Sequence, residues 1–310
     1  MPLNLSKTVL DFLQARTEEK FTARQIADWI LKTYPSECRE KRDRSKATVI
    51  RIDSDEALVQ QLAAEIASQR PVMEKRMALK TTEGRPRKYY YSSKTAEAEV
   101  AATEDGRKTT GNESSQYTEH DLYPILSEFL WREFSVFSKR IDEKRSRNSH
   151  GSGGNRWLFP DLIGVEDLSR DWHTEIKHCV QEISDRKTKL WSFEVKKLIN
   201  RANVREAYFQ AVSNSSWANI GYLVTAEIQG AEKEMRMLAG LHGIGLIKLD
   251  IESPADSEIM IPARERMDVD WNTANRLAEE NQDFMECVKL VRQFYQTGNI
   301  RETDWDIPKD

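Results

Sequence analysis

Three residues pose the chemical question: Asp161, Glu194 and Lys196. The last two belong to LWSFEVKKL, Leu190 to Leu198, where Trp191, Phe193 and Val195 alternate with Ser192, Glu194 and Lys196. A period of two marks a half-buried strand, because successive side chains point to opposite faces of a sheet. Glu194 and Lys196 therefore leave the strand side by side, either as a solvated charge couple or as part of a site. Asp161 lies in NRWLFPDLIGVED, where a strand is expected over 157–164. In it Phe159, Asp161 and Ile163 share one face, and Leu158, Pro160 and Leu162 the other. A carboxylate in so apolar a strand needs a cationic partner, a side chain or a metal ion, because an uncompensated buried charge is costly.

The spacing Asp/Glu-x-Lys also occurs at Glu18, Asp142, Glu175 and Asp185. Context separates these from Glu194. Glu175 and Lys177 fall in DWHTEIKHCVQEI, where Trp172, Ile176, Val180 and Ile183 recur at helical spacing, and residues two apart on a helix point in different directions. Asp185 belongs to a polar turn, Glu18 to the front of the chain, and Asp142 precedes the strand of Asp161.

Around these strands the pattern predicts a helix over 118–134, with Leu122, Ile125, Leu126, Phe129 and Leu130 inward, then strands near 136–141, 157–164 and 190–196. A helix over 171–183 is inserted before the last of them. A helix over 201–212, the strand NIGYLVTA and a C-terminal amphipathic helix follow. The C-terminal helix carries Leu277, Phe284, Val288, Val291 and Phe294, for packing on the core or on a second subunit.

The front of the chain reads differently. A first helix buries Val9, Leu10 and Leu13; a second starts at a Thr22/Gln25 capping box and buries Ile26, Trp29 and Ile30. A third runs from about Asp55 to Gln69, with Leu58, Leu62 and Ile66 inward and Gln60, Gln61, Glu65 and Ser68 outward. Two strand-like runs joined at Glu83-Gly84-Arg85-Pro86 come next. Residues 38–51 form a basic loop, and residues 94–116, poor in bulky apolar side chains, are expected to be a flexible linker.

Three helices followed by a basic hairpin resemble the winged-helix DNA-binding family. That resemblance places Arg85, Arg87 and Lys88 on phosphates and Gln61 and Ser68 on base edges. Pro160-Asp161 followed by Glu194-Val195-Lys196 resembles the PD-(D/E)XK nuclease superfamily, and the order of elements over about 118–250 is similar to that restriction-endonuclease-like core. The resemblance implies that Asp161, Glu194 and the Val195 carbonyl hold Mg2+, with Mn2+ able to substitute, and that Lys196 assists the attacking water. It adds Glu128 and Gln210 as accessory catalytic residues, and the basic loop of Lys144, Arg145 and Arg147 as a DNA contact. The whole chain resembles restriction-associated proteins of the HrgA type. The expectation is an α/β chain: residues 1–93 a winged-helix domain, 94–116 a linker, and 117–310 a nuclease-like domain with a mixed central sheet. Its expected activity is Mg2+-dependent cleavage of double-stranded DNA in restriction, gated or not by base modification. A DNA-binding regulator built on a nuclease-like scaffold is the alternative.

Composition bounds these readings. The 310 residues suffice for two domains. The net charge of −4 hides an asymmetry: residues 1–94 sum to +6 and residues 95–310 to −10, which suits a DNA-reading module joined to a carboxylate-gathering domain. Three scattered cysteines without a Cys-x-x-Cys pair argue against disulfides and structural zinc. The five histidines share no ligand spacing. No apolar run reaches membrane-spanning length and no secretory cleavage site follows the N-terminus, so a cytoplasmic protein is expected. Without a Gly-x-Ser-x-Gly elbow or a Walker-type phosphate loop, neither acyl hydrolysis nor a nucleotide cofactor is expected. Cutting both strands calls for two sites, hence a homodimer.

Overall fold

The structure, a computed structural model, describes residues 4–43, 54–77, 79–83, 86–104, 117–147, 157–183 and 185–308. The chain is mixed α/β, with two sheets, and divides into two compact units. Among the described residues the first takes those up to Glu99 together with Ile228–Gly230; the second takes those from Val100 onward apart from Ile228–Gly230.

In the first unit, α1 (Leu5–Gln14) buries Leu5, Val9, Phe12 and Leu13, so Phe12 takes the inward place expected of Leu10. Strand β1 (Phe21–Thr22) leads into α2 (Ala23–Thr33) through the expected capping box: Thr22 and Gln25 each cap the other's backbone N–H. The run expected as a basic loop begins inside a helix, α3 (Pro35–Asp43). Proline starts that helix, Glu37 lies in its first turn and Lys41 and Arg42 in its last, an order that complements the helix dipole.

Helix α4 (Asp55–Met77) runs through Pro71, two turns beyond the expected end. Met73 is buried in the core of this unit and Met77 packs against it, and that burial outweighs the hydrogen bond the proline forfeits. The expected hairpin strands are β2 (Leu79–Thr81) and β3 (Lys88–Tyr91), in an antiparallel sheet ordered β1-β3-β2. Between the units, the segment expected to be flexible contains α5 (Ala96–Glu104), an Ala- and Glu-rich stretch with high helix propensity. The rest of it, 105–116, lies outside the described residues.

The second unit is built on a six-stranded mixed sheet. Helix α6 (Leu122–Phe134) is followed by β4 (Val136–Arg140), β5 (Leu162–Asp167), α7 (Thr174–Glu182) and β6 (Thr188–Asn200). Next come α8 (Val204–Asn214), β7 (Ile220–Gln229), α9 (Glu232–His242), β8 (Gly245–Lys248) and β9 (Glu258–Ile261), and the chain ends with α10 (Trp271–Glu280) and α11 (Gln282–Thr297). The sheet order is β4-β5-β6-β7-β8-β9; β4, β5 and β6 are antiparallel neighbours, while β7 and β8 are parallel.

Alternation along β6 divides the core. Trp191, Phe193 and Val195 pack with Leu122, Leu126 and Leu130 of α6, whereas Leu190 joins Phe137, Ile163, Leu277 and Phe284 beneath α10 and α11. The C-terminal helices thus cover the core of their own chain. Gly164 sits where the layers press closest: a Cβ there would lie 2.7 Å from Val136 Cγ1 and 3.0 Å from Trp191 Cβ. Helix α7 forms as expected but buries none of its residues; Ile176 and Ile183 stay exposed. Cys38 and Cys287 are buried free thiols, and no helix among the described residues is long and apolar enough to cross a membrane.

Candidate active site

Strand β5 begins at Leu162, later than the expected 157–164. Pro160 has no N–H to give to a ladder, so it closes the preceding turn and leaves Asp161 at the strand's first rung. The Asp161 N–H still bonds to the Phe193 carbonyl at 3.0 Å, and the Asp161 carbonyl accepts from Ile141 at 2.9 Å. Leu162 is registered with Phe193, so one step back sets Asp161 opposite Glu194. The strands unite the three residues that the spacing singled out.

Their side chains interlock. Asp161 Oδ2 accepts the Val195 N–H at 2.7 Å, and Asp161 Oδ1 accepts the Tyr123 hydroxyl at 3.1 Å. Glu194 is 1 % exposed. Its Oε1 lies 2.7 Å from Lys196 Nζ, an ion pair by distance that lacks the alignment of a hydrogen bond, and its Oε2 accepts from Asn214 Nδ2. Lys196 Nζ also lies 4.0 Å from Glu119 Oε2.

Burial governs the electrostatics. It pushes the Asp161 carboxyl above the usual range, against the opposing pull of Lys196, the Val195 N–H and the Tyr123 hydroxyl. Glu194 is driven up further, first by burial and then by the Asp161 charge, with Lys196 opposing. For Lys196, burial works to lower the pKa, but Glu194, Glu119 and Asp161 outweigh it, so the ammonium stays charged. Burial, with Asp161 and Glu119 nearby, keeps the Tyr123 phenol protonated and hence a donor. The cluster carries more carboxylate than ammonium, and the balance must come from a proton or an added cation.

Two accessory residues fall elsewhere than expected. Glu128, on α6, pairs with Arg132 one turn on at 2.9 Å; the helix-side carboxylate near Lys196 is Glu119, just before α6. The Tyr123 hydroxyl, one turn after Glu119, also lies 3.3 Å from Glu119 Oε1, so its single proton sits between the two carboxyls with Asp161 the nearer. Among the described residues no side-chain hydrogen bond joins Gln210 to the cluster; Asn214, one turn further along α8, makes that contact. Each of these contacts lies about one helical turn or more from the residue that the resemblance names, an offset that a helix-side polar pattern alone leaves undetermined.

Sequence reasoning also passed over Arg140 and His120. Arg140 is registered with Leu162 beside Asp161, its guanidinium lies 5.2 Å from the Tyr123 ring centre, and its Nη2 is 3.2 Å from His120 Nε2. Its Nε is buried and has no hydrogen-bond partner among the described residues. The signal was the last basic residue of the strand before Pro160-Asp161, which reads equally well as a solvated strand end.

The expected DNA contacts are disposed as follows. Gln61 is half-buried on α4 and donates to Glu65 at 3.1 Å; exposed Ser68 donates to the Glu65 carbonyl at 2.9 Å. Lys88 is exposed on β3, half-buried Arg87 donates to the Thr82 carbonyl at 3.1 Å, and Arg85 lies outside the described residues. Lys144, Arg145 and Arg147 are exposed, with Arg145 paired to Asp283 and lying 3.7 Å from Glu286.

A divalent ion finds two carboxylates in this cluster, one of them with a buried, imperfectly satisfied oxygen. Among the described residues no group of three or more His, Cys, Asp and Glu could hold a metal ion. The donor set nonetheless fits magnesium, which binds through one or two carboxylates and completes its shell with water and substrate phosphate. In comparisons with known proteins, no family model, curated protein or solved structure matches this chain.

Proposed function

We propose that this chain is a divalent-metal-dependent DNA endonuclease acting in restriction of foreign DNA. The observation that carries the reading is the union of Asp161, Glu194 and Lys196 on adjacent strands, with both carboxyls biased toward binding a cation or a proton. Asp161, Glu194 and the Val195 carbonyl would hold the ion. Bound there, magnesium or manganese polarises a phosphate oxygen and lowers the pKa of water. Lys196 orients the attacking water and steadies the charge that grows on the phosphate. Tyr123 and the Val195 N–H fix Asp161, Asn214 fixes Glu194, and the water-poor setting strengthens each of these contacts. The first unit, read as a winged helix, selects the DNA, and a cytoplasmic homodimer would place two sites on the two strands.

One observation favours a second reading, a DNA-binding regulator on a nuclease-like scaffold. Glu194 already has Lys196 and Asn214 at its two oxygens, as in a structural ion pair. Cleavage of plasmid and phage DNA in several modification states, with magnesium or manganese and with EDTA, separates the two. Nicking that needs the ion and stops with EDTA supports the endonuclease. Protein that shifts DNA in gels but never nicks it supports the regulator.

A further inference from the structure

We infer that Arg140 and His120 form a phosphodiester-binding subsite at the edge of the cluster, with Arg140 gripping a DNA phosphate. This inference rests on the reading of the chain as a DNA-cleaving protein and names the group that receives the substrate.

The argument begins with charge. Asp161, Glu194 and Glu119 surround one ammonium, and that ammonium is 2.7 Å from Glu194. Before any metal ion binds, a phosphodiester approaching this cluster meets net negative charge, so a cation other than Lys196 at its edge favours the approach. Arg140 is that cation. It ends β4, beside Asp161, where the Ile141 N–H bonds to the Asp161 carbonyl. Among the described residues its guanidinium makes no ion pair, while its backbone N–H donates to Asp306 Oδ2 at 2.8 Å.

Its side chain is nonetheless held in place. The guanidinium rests over the Tyr123 ring, whose hydroxyl reaches Asp161, and Nη2 meets His120 Nε2, which is an acceptor only in the neutral imidazole. The His120 and Tyr123 rings lie 5.4 Å apart, so the guanidinium is braced by both. Within this brace Nε is buried and has no hydrogen-bond partner among the described residues. An unsatisfied buried donor is rare in a folded protein and calls for an acceptor, which a phosphate oxygen supplies. A planar guanidinium offers paired N–H donors that match two phosphate oxygens, a geometry an ammonium lacks. His120, exposed at the rim, sets the orientation of the fork.

The test uses the full-length protein and duplex DNA without divalent ion, so that it does not depend on cleavage. Binding is measured against salt concentration for the wild type, Arg140→Gln and Arg140→Lys, with thermal melting to verify that each variant is folded. Loss of one phosphate contact lowers the slope of log K against log salt by about 0.9. Arg140→Gln should show that drop, and Arg140→Lys, which keeps the charge, should restore most of the slope. A folded Arg140→Gln protein with the wild-type slope overturns the subsite, as does a wild type that does not bind DNA. Where the wild type nicks DNA, Arg140→Gln should raise KM more than it lowers kcat. If no nicking occurs but the slope still falls, the endonuclease reading fails and the subsite stands.

Discussion

The Val195 N–H donates to Asp161 Oδ2 at 2.7 Å, fastening the carboxylate at the start of β5 to the backbone between Glu194 and Lys196. One oxygen of Asp161 therefore cannot move unless β6 moves with it. The Tyr123 hydroxyl restrains the other, so the carboxylate has a set orientation before any ligand arrives. Preorganisation of this kind is what a site acting on a developing charge requires, because no reorientation is left to be done during reaction.

Asp161→Ala and Lys196→Ala should each abolish plasmid nicking and leave DNA binding within about twofold of wild type, since neither residue is among the DNA-holding groups proposed in the first unit or at Arg140. Nicking gels with mobility shifts on the same preparations measure both quantities. Persistent cleavage by either variant would remove that residue from the mechanism.

Glu119 and Glu128 give opposite expectations. Glu119 lies 4.0 Å from Lys196 and 3.3 Å from the Tyr123 hydroxyl, whereas Glu128 is engaged with Arg132. Glu119→Gln should slow nicking by about tenfold, the scale of losing one charge interaction near the reacting groups. Glu128→Gln should leave the rate unchanged. Equal effects from the two substitutions would contradict the assignment.

Strand chemistry was legible in the sequence because its period is unambiguous. The alternation along this strand appears in the structure as Trp191, Phe193 and Val195 in one core layer and Leu190 in the other, with Asp161 opposite Glu194. Helix chemistry was less legible. Glu128 and Gln210 sit on helices predicted correctly, yet neither meets the cluster, because rotation about a helix axis is fixed by packing that the sequence pattern underdetermines. Pro71 and the Ala/Glu-rich stretch at Ala96–Glu104 show the same limit: local signals for a break and for flexibility gave way to buried methionines and to intrinsic helix propensity. Arg140 was passed over because its meaning depends on Tyr123 and His120, which only the fold brings beside it.

Gly164 provides a test of the layer packing that holds the site. A methyl group there has no room, with Val136 on the neighbouring strand and the Trp191 and Phe193 side chains against it. Gly164→Ala should destabilise the protein by about 1–3 kcal/mol through overpacking, read from the urea midpoint. Val136→Ala, which removes the nearest contact, should recover part of that loss when combined with it, a coupling that independent sites would not show. Additive effects would mean that the crowding lies elsewhere.

The raised pKa values of Asp161 and Glu194 fix the sign of a pH dependence. Both carboxyls hold protons more tightly in the folded chain than at their ordinary values of 3.8 and 4.5. The stability this contributes is fully present below about pH 4 and is lost as pH rises through the elevated folded values. Lys196 has the opposite charge type but also a raised value, so its contribution persists through neutrality and fades only above its ordinary 10.5. Asp121, Asp270 and Glu265 are lowered, and their contributions disappear only as pH falls below the usual carboxylate range, outside the window in question. In EDTA, the melting temperature should therefore fall as pH climbs from about 5 toward 8, and Glu194→Gln should flatten that slope. Magnesium should restore stability most at the upper end, because an ion that displaces protons from these carboxyls binds better as protons become scarce. Melts across this range with and without magnesium check all three statements. A wild-type curve that rises with pH in EDTA, or a magnesium effect greatest at pH 5, would show that these two carboxyls do not hold protons more tightly in the folded chain.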